Sequence, residues 1–256
     1  MANLTILRTY ALKDPANISP SVLFRSSEKF LTIFDAYPKS IFHFLVLPRL
    51  TKDEGGFSEG DTANLKALLK ADKQKAKELI ESMKAEALEV KKEMEEEMVE
   101  RYGYKWDSWV GFHAVPSMVH LHLHVLSADL VSERMKNKKH YNSFHPSLGF
   151  FLHVDEVLSW FDADTTYFNR MAQLTPKPYE DLLKRDLECW CCRAGMKNIP
   201  KLKEHLQEEW DKHAVKAKRA AQKRKATSDG DCLSVPQVYE GSASKRAKTA
   251  EPEPVE

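Results

Sequence analysis

The sequence predicts an α+β fold, in which an antiparallel sheet is covered by helices and followed by a small metal-binding module. Three short apolar runs near the amino terminus indicate strands, and two more follow a long stretch with helical periodicity. Three of the four cysteines lie at 189–192, a clustering that favours a metal site over a disulfide framework. Strands, then a helix, then strands is an order typical of an antiparallel sheet with helices on one side.

The composition sets limits on the class of protein. The 256 residues contain 39 Lys and Arg against 38 Asp and Glu, so net charge gives no indication of nucleic-acid binding. No apolar run reaches the roughly 20 residues of a membrane span, and no basic-then-apolar segment marks a secretion signal. We therefore expect a soluble intracellular protein that does not bind a membrane.

The first predicted elements are a short helix and three strands. Leucines between residues 4 and 12 have the spacing of an amphipathic helix, and Asp14-Pro15 ends it. Runs of aliphatic and aromatic residues then indicate strands, because such side chains suit a half-buried pleated surface. These runs occupy residues 22–24, 30–34 and 42–47.

A long amphipathic helix is predicted from about Thr62 to Gly103, after a loop at Gly55-Gly56. Its apolar residues recur in steps of three and four: Ala76, Ile80, Met83, Ala87, Val90, Met94 and Met98. The methionines could instead form a partner or membrane surface. Since charged residues alternate densely on the other face, we interpret the stripe as core packing against the sheet. Strands are predicted again at 109–115 and 120–127, and a helix at 154–161.

Three histidines alternate with leucines in the last of these strands, as His120-Leu121-His122-Leu123-His124. Successive side chains of a strand point to opposite faces, so the three imidazoles are predicted on one face and the leucines in the core. Neutral imidazole is both a metal ligand and a nucleophile, so the pattern indicates zinc binding or phosphoryl chemistry. A histidine-rich surface strand is the third interpretation, and the flanking apolar residues disfavour it.

This alternation, followed by Val125-Leu126, resembles the signature of the histidine-triad superfamily, which comprises nucleotide hydrolases and transferases that form a covalent nucleotidyl-histidine. Segments 37–48, 111–120 and 136–144 resemble the aprataxin branch of that superfamily. The resemblance covers most of residues 1–213 and is weak at 51–105. It implies the histidine-triad fold and removal of AMP from the 5′-adenylated DNA ends left by abortive ligation.

The resemblance implies roles for individual side chains. His122 is expected to be the nucleophile, His120 to hold the orientation of its neighbourhood, and His124 to donate to phosphate oxygens. His113 matches a histidine at the mouth of the aprataxin active site and is expected to assist departure of the leaving group. Ser117 matches a phosphate-contacting serine. Because a DNA 5′-phosphate is already a stable anion, the reaction needs a nucleophile and charge neutralisation more than a strong general acid.

Further residues are expected to bind the nucleotide and the DNA. By resemblance, the segment from Asp35 to Lys39 forms a wall of the nucleotide pocket, where the carboxylate suits ribose hydroxyls and the ammonium suits a phosphate. An ordinary polar turn is the alternative. His43 is expected to face the same site. A downstream cationic cluster is expected to neutralise phosphodiester charge without reading sequence; it consists of Lys136, Lys138, Lys139 and His140.

The cysteine cluster has the spacing of a zinc finger. Two cysteines separated by two residues are followed after twelve residues by a histidine, and a glutamate stands where a finger has its second histidine. The predicted ligands of one structural zinc are Cys189, Cys192, His205 and Glu209. Cys191 and His213 compete for the fourth position, and no metal is expected to take part in the chemistry. Two reduced structural cysteines, or a helix that only resembles a finger, are the alternatives.

We predict three parts: a histidine-triad catalytic domain at 1–175, a zinc-finger-like DNA-binding module at 176–215 and a disordered basic tail at 216–256. Basic blocks at 216–225 and 245–248 indicate nuclear import or nucleic-acid contact, with a solvated basic linker as the alternative.

The leading hypothesis is a monomeric nuclear DNA-repair hydrolase that acts on nicked or 5′-adenylated DNA, RNA–DNA junctions included, and releases AMP. One alternative is a general histidine-triad hydrolase of nucleoside phosphoramidates or dinucleoside polyphosphates, which would not need the finger or the lysine cluster. Another is a zinc-finger nucleic-acid-binding protein with an inactive triad, which the three intact histidines disfavour.

Overall fold

The computed structural model describes residues 3–50 and 57–230, with side chains described as far as residue 223. The loop predicted at Gly55-Gly56 and the tail beyond residue 230 lie outside the described residues. The chain divides into two compact units, Met1–Lys218 and Arg219–Glu256. Both predicted modules, 1–175 and 176–215, fall within the first unit, and the boundary between them stays a prediction.

A six-stranded antiparallel sheet with the strand order β1-β2-β3-β5-β4-β6 is the frame of the first unit. Its strands are β1 (Leu23–Ser26), β2 (Phe30–Phe34), β3 (His43–Pro48), β4 (Ser108–His113), β5 (Leu123–Ser127) and β6 (Phe151–His153). The α+β class with an antiparallel sheet is confirmed. Strand β5 begins three residues later than predicted, which matters for the triad.

Eight α-helices, one turn of 3-10 helix (Pro15–Asn17) and a two-stranded hairpin complete the described part of the chain. The helices are α1 (Ile6–Ala11), α2 (Leu65–Lys70), α3 (Lys73–Tyr102), α4 (Lys138–Asn142), α5 (Val154–Asp162), α6 (Thr165–Met171), α7 (Pro176–Leu182) and α8 (Ile199–Gly230), and the hairpin is β7 (Leu187–Glu188) with β8 (Gly195–Met196). Among the described helices, none has the length and apolarity needed to cross a membrane.

The helix predicted from Thr62 is in fact the pair α2 and α3. Asp72 separates them, because its side chain caps the amino terminus of α3 by accepting a hydrogen bond from the Lys75 N–H. Gly103 ends α3 in the left-handed region at φ 75°, as a glycine after a helix commonly does. The apolar stripe of α3 is buried against Phe44 and Val125 and their neighbours on one face of the sheet, so its prediction as core packing is confirmed.

Alternation along three neighbouring strands places histidines on the opposite face of the sheet. His43, His124 and His113 lie on β3, β5 and β4, each beside a residue that packs towards α3. Gly111 is the direct partner of His124 across β4 and β5. A Cβ at Gly111 would lie 2.5 Å from the Leu152 carbonyl oxygen and 2.6 Å from the Phe151 ring, so only glycine lets β6 pack this closely.

A second core is shared between the sheet and the finger. From the sheet side it includes Trp109, Tyr141 and Phe151; from the finger side it includes Leu187, Cys189, Ile199, Leu202 and Leu206. Tyr141 on α4 ties the two together, since its hydroxyl donates to the Glu188 carbonyl (2.8 Å) and accepts from the Trp190 N–H (2.9 Å).

The predicted start of the disordered tail at residue 216 is too early. Helix α8 continues to Gly230. Residues 216–225 consist of Lys, Arg, Ala and Gln, which are all strong helix formers, so they can extend a helix that has already begun without a core of their own.

Candidate active site

A cavity of about 510 Å³ lies on the sheet face opposite α3. Small-molecule sites typically measure roughly 300–1,000 Å³, so the cavity suits a nucleotide. Its lining includes these predicted site residues: Asp35, Lys39, His113, Ser117, His122, His124, Lys136, Lys139 and His140. Tyr37 also lines the cavity, within the segment from Asp35 to Lys39 that was predicted to form its wall. Lining residues without a predicted role include Arg134, Ser143 and Phe144.

Hydrogen bonds fix the tautomer of His124. The Lys39 backbone N–H donates to His43 Nδ1 (3.1 Å), so a neutral His43 carries its proton on Nε2. That proton faces His124 Nδ1 at 3.0 Å. His124 Nδ1 is therefore an acceptor, and His124 carries its own proton on Nε2. This Nε2 is buried and has no hydrogen-bond partner among the described residues, so it is an unsatisfied donor in a side chain that lines the cavity.

Hydrogen bonding also leaves a lone pair on His122. Its Nδ1 lies 2.7 Å from the His120 carbonyl oxygen, which only accepts, so the Nδ1 carries the proton. His122 Nε2 is then unprotonated, as a nucleophile must be. The carbonyl oxygen would also stabilise the positive charge that develops on the ring when Nε2 attacks.

The prediction that all three triad histidines project from one face of a strand is wrong for His120. This residue precedes β5 and has φ 99°, which turns its ring away from the strand's alternation. Its Nε2 donates to the Pro48 carbonyl oxygen at 2.7 Å, and its side chain does not line the cavity. His120 therefore contributes a backbone carbonyl to the site and a buried side chain to the fold.

Burial keeps these histidines neutral. It lowers the pKa of His43 to about 4 and also lowers the pKa of His122, although Asp35 opposes the shift in both. For His113 and His124, burial and the neighbouring histidines hold the pKa well below 6.5. The site thus presents neutral imidazoles, while the positive charge lies on its rim.

Four cationic side chains form that rim: Lys39, Arg134, Lys136 and Lys139. Burial, reinforced by Arg134, lowers the pKa of Lys39, while Asp35 acts in the opposite direction. The Arg134 guanidinium lies 5.7 Å from the centre of the Tyr37 ring. Lys138 does not belong to the rim: its ammonium pairs with Asp186 at 3.2 Å.

Asp35 both faces the cavity and makes a turn. Its Oδ1 accepts from the Tyr37 N–H at 2.7 Å, which is the local turn expected of an ordinary polar loop. Its Oδ2 lies 3.5 Å from His43 Nε2. Its ligand atoms and those of His43 and His124 lie within 4.8 Å of one another, but the two histidines already hydrogen-bond to each other.

In the finger, Cys189, Cys192 and His205 bring their ligand atoms within 4.8 Å of one another, and Cys192 Sγ lies 3.1 Å from His205 Nε2. Arg193 makes the tight turn at φ 64°, donating its N–H to the Cys189 carbonyl oxygen at 2.9 Å. Two thiols and an imidazole on a knuckle and a helix suit zinc.

Glu209 does not join that group. Its carboxylate accepts from Lys212 at 2.8 Å and lies with Cys191 and His213, the two competitors for the fourth position. Glu209 is one turn beyond His205 on α8, so both side chains project from the same face of the helix. Its role as the fourth ligand stays a prediction.

Two family models match the chain. The model described as "Scavenger mRNA decapping enzyme C-term binding" matches residues 9–140, and the model "C2HE / C2H2 / C2HC zinc-binding finger" matches residues 147–212. An aprataxin-like protein of Saccharomyces cerevisiae is 32% identical over 225 residues, which cover 80% of this chain and 96% of the relative. The chain belongs to the aprataxin family.

Other aprataxins fit this assignment. Gallus gallus aprataxin is 33% identical over 195 residues, or 75% of this chain, but this chain spans only about half (52%) of that relative. The structure of the aprataxin ortholog Hnt3 in complex with DNA superposes with a TM-score of 0.59 at 27% identity, covering 84% of this chain and 98% of Hnt3. The chain thus has the histidine-triad fold of an aprataxin, with a zinc-finger segment after it.

Two features of this site could not be predicted from the sequence, whereas a third could. The hydrogen bond from His43 to His124 joins residues 81 positions apart, so no local spacing indicates it. The orientation of His120 depends on an unusual φ angle that the alternating pattern conceals. Arg134, by contrast, stands two residues before Lys136, and extending the basic cluster upstream would have included it.

Proposed function

We propose that this protein hydrolyses the phosphoanhydride between AMP and the 5′-phosphate of an adenylated DNA end. One observation carries the proposal: His122 offers an unprotonated Nε2 in a cavity whose rim holds Lys39, Arg134, Lys136 and Lys139. A nucleophile for phosphorus and cations for phosphate oxygens are the two things that this reaction needs.

The reaction follows in two balanced displacements. His122 Nε2 attacks the AMP phosphorus, the bond to the bridging oxygen breaks, and the DNA leaves with its 5′-phosphate intact. His124 Nε2–H donates to a phosphate oxygen as charge moves, and His113, beside His124 with ring centroids 4.4 Å apart, lies where it can assist the leaving group. Water then attacks phosphorus and releases a proton to solvent, the P–N bond breaks, and AMP leaves while Nε2 regains its lone pair.

The DNA part of the proposal is supported by charge and by relatives. Hnt3 has been solved in complex with DNA, and also with DNA and guanosine. In this chain, Lys139 and His140 lie on α4, between the cavity and the finger hairpin to which Tyr141 bonds. We propose contact with DNA phosphates along this side, by a monomer, without sequence readout. Nuclear localisation through the basic blocks is part of the same proposal.

We also propose one structural zinc, held by Cys189, Cys192 and His205 with Glu209 completing the site when it releases Lys212. Zinc would supply folding energy to the finger and no chemistry to the reaction. Glu209→Gln is expected to weaken zinc retention and Glu209→His to preserve or tighten it. Equal zinc retention by wild type and Glu209→Gln would show that Glu209 is not a zinc ligand.

The test measures AMP release from nicked duplex DNA with a 5′-adenylate, beside a dinucleoside polyphosphate and an AMP phosphoramidate. His122→Ala is expected to lose more than about 10²–10³-fold in rate. His145→Ala is the matched control, because His145 is buried in the same unit but does not line the cavity.

Each alternative function has its own outcome. A kcat/KM for the free nucleotides above that for adenylated DNA would identify a general histidine-triad hydrolase. Tight DNA binding without AMP release would identify a binding protein. Near-normal turnover by His122→Ala would refute the mechanism.

A further inference from the structure

Two cysteine–histidine pairs lie side by side between helix α8 and the loop that joins β7 to β8. Cys192 Sγ lies 3.1 Å from His205 Nε2, and Cys191 Sγ lies 4.0 Å from His213 Nε2. Glu209 is four residues from each histidine, so it stands between the two pairs on the same helical face. The proposed finger site uses the first pair and leaves the second without a role.

We propose that Cys191, Glu209 and His213 bind a second divalent transition-metal ion of the zinc class beside the finger site. The three residues offer a thiol, a carboxylate and an imidazole, which are the side chains that bind zinc in proteins. Their ligand atoms all lie within 4.8 Å of one another, the same proximity that the finger cysteines and His205 show.

The space at this site fits an ion. Cys191, Glu209 and His213 line a cavity of about 40 Å³. A cavity needs about 10–15 Å³ to hold one water, so this one accommodates an ion with a water molecule but no organic ligand. The rest of the lining includes three indole rings, those of Trp106, Trp190 and Trp210, which would shield the ion. Asp107 lines the same cavity and adds an oxygen donor.

Charge balance permits two neighbouring ions. Three thiolates and the Glu209 carboxylate together neutralise two divalent cations, and each oxygen of Glu209 can serve one ion. Lys212 competes, since its ammonium lies 2.8 Å from Glu209 Oε1. Its side chain is 64% exposed, however, and exposed ion pairs of this kind contribute little, so a metal can displace it.

The experiment is equilibrium dialysis of the full chain against buffered micromolar free zinc, followed by elemental analysis of zinc per protein. Wild type is expected to bind two ions per chain. Cys191→Ser/His213→Ala is expected to bind one, and this retained ion shows that its finger remains folded. Lys212→Ala, the matched control on the same helical face, is expected to bind two, the second more tightly.

Saturation of wild type at one zinc per chain would overturn the proposal, whatever the variants do. If far-UV circular dichroism shows that the double variant is unfolded, His213→Ala takes its place in the experiment, because it removes only an exposed side chain. It is expected to bind the second ion more weakly than wild type, and an unchanged affinity would also overturn the assignment.

Discussion

Replacing His43 with phenylalanine should lower kcat, although His43 acts on the reaction only through its hydrogen bond to His124. Phenylalanine keeps the ring volume and the edge contact with Phe144, whose ring centroid is 5.2 Å away. It removes the acceptor for the Lys39 N–H and the donor to His124 Nδ1. His124 is then no longer held with its proton on Nε2, and its alternative tautomer presents a lone pair to the phosphate.

The magnitudes follow from these two lost hydrogen bonds. A buried polar group left without a partner costs about 1–3 kcal/mol, so two of them should lower the unfolding free energy of His43→Phe by about 3 kcal/mol. Loss of one positioned donor to the transition state costs about 10²–10³-fold in kcat. The Lys39 backbone is only half-buried, which places the stability loss towards the lower end.

The assay combines single-turnover AMP release with urea unfolding for His43→Phe and His145→Phe. Burial also lowers the pKa of His145 to about 4, but its ring contacts Ser147 and a different pocket. Both variants should lose stability, and only His43→Phe should lose kcat. Equal losses of kcat in the two variants, or a near-normal kcat for His43→Phe, would refute the tautomer assignment.

Three further outcomes are expected. Lys136→Gln/Lys139→Gln should reduce the salt dependence of DNA binding by about two ions, roughly one per phosphate contact; Lys138→Gln, the control outside the cavity, should change it little, and equal effects would place the phosphates elsewhere. Gly111→Ala should lower the unfolding free energy by about 1–3 kcal/mol, because its Cβ meets the Leu152 backbone at 2.5 Å; an unchanged urea midpoint contradicts this packing. Burial lowers the pKa of His120 to about 4, so below pH 6.5 the unfolded chain binds a proton that the native state does not, and stability falls as the pH falls. Between pH 6.5 and 4, wild type should lose about 3 kcal/mol more than His120→Asn, and parallel pH curves would contradict the assignment.

Periodicity predicted the sheet and the α3 core stripe because both are local consequences of side-chain spacing. The apolar residues of α3 recur in steps of three and four, and β3 alternates between Phe44 towards the helix and His43 towards the site. A local pattern does not show where a strand begins. The histidine at 120 keeps the alternation in sequence, yet a positive φ angle removes it from the strand.

Composition led to a wrong prediction near the carboxyl terminus, where disorder was expected from residue 216 but helix α8 continues to Gly230. Most side chains at 216–223 are exposed, but a lack of burial does not imply a lack of structure. A helix already stabilised by Leu202 and Leu206 can continue through residues of high helix propensity without further packing. For the fourth zinc ligand, spacing predicted Glu209 over Cys191 and His213, whereas the structure brings the ligand atoms of all three within 4.8 Å of one another.

The histidine-triad part and the finger share one apolar core, which includes Trp109, Tyr141, Leu187 and Leu202. The two parts should therefore be difficult to separate, both in protein engineering and in evolution. A fragment that ends at residue 175 would expose one half of that core to water and leave Asn142 without the three carbonyl oxygens, at 182, 183 and 185, that its amide contacts. Such a fragment should aggregate rather than behave as a smaller enzyme. For the same reason, a finger transferred to another protein would need a matching apolar surface to pack against. Recombination that moves the two parts separately should therefore be disfavoured.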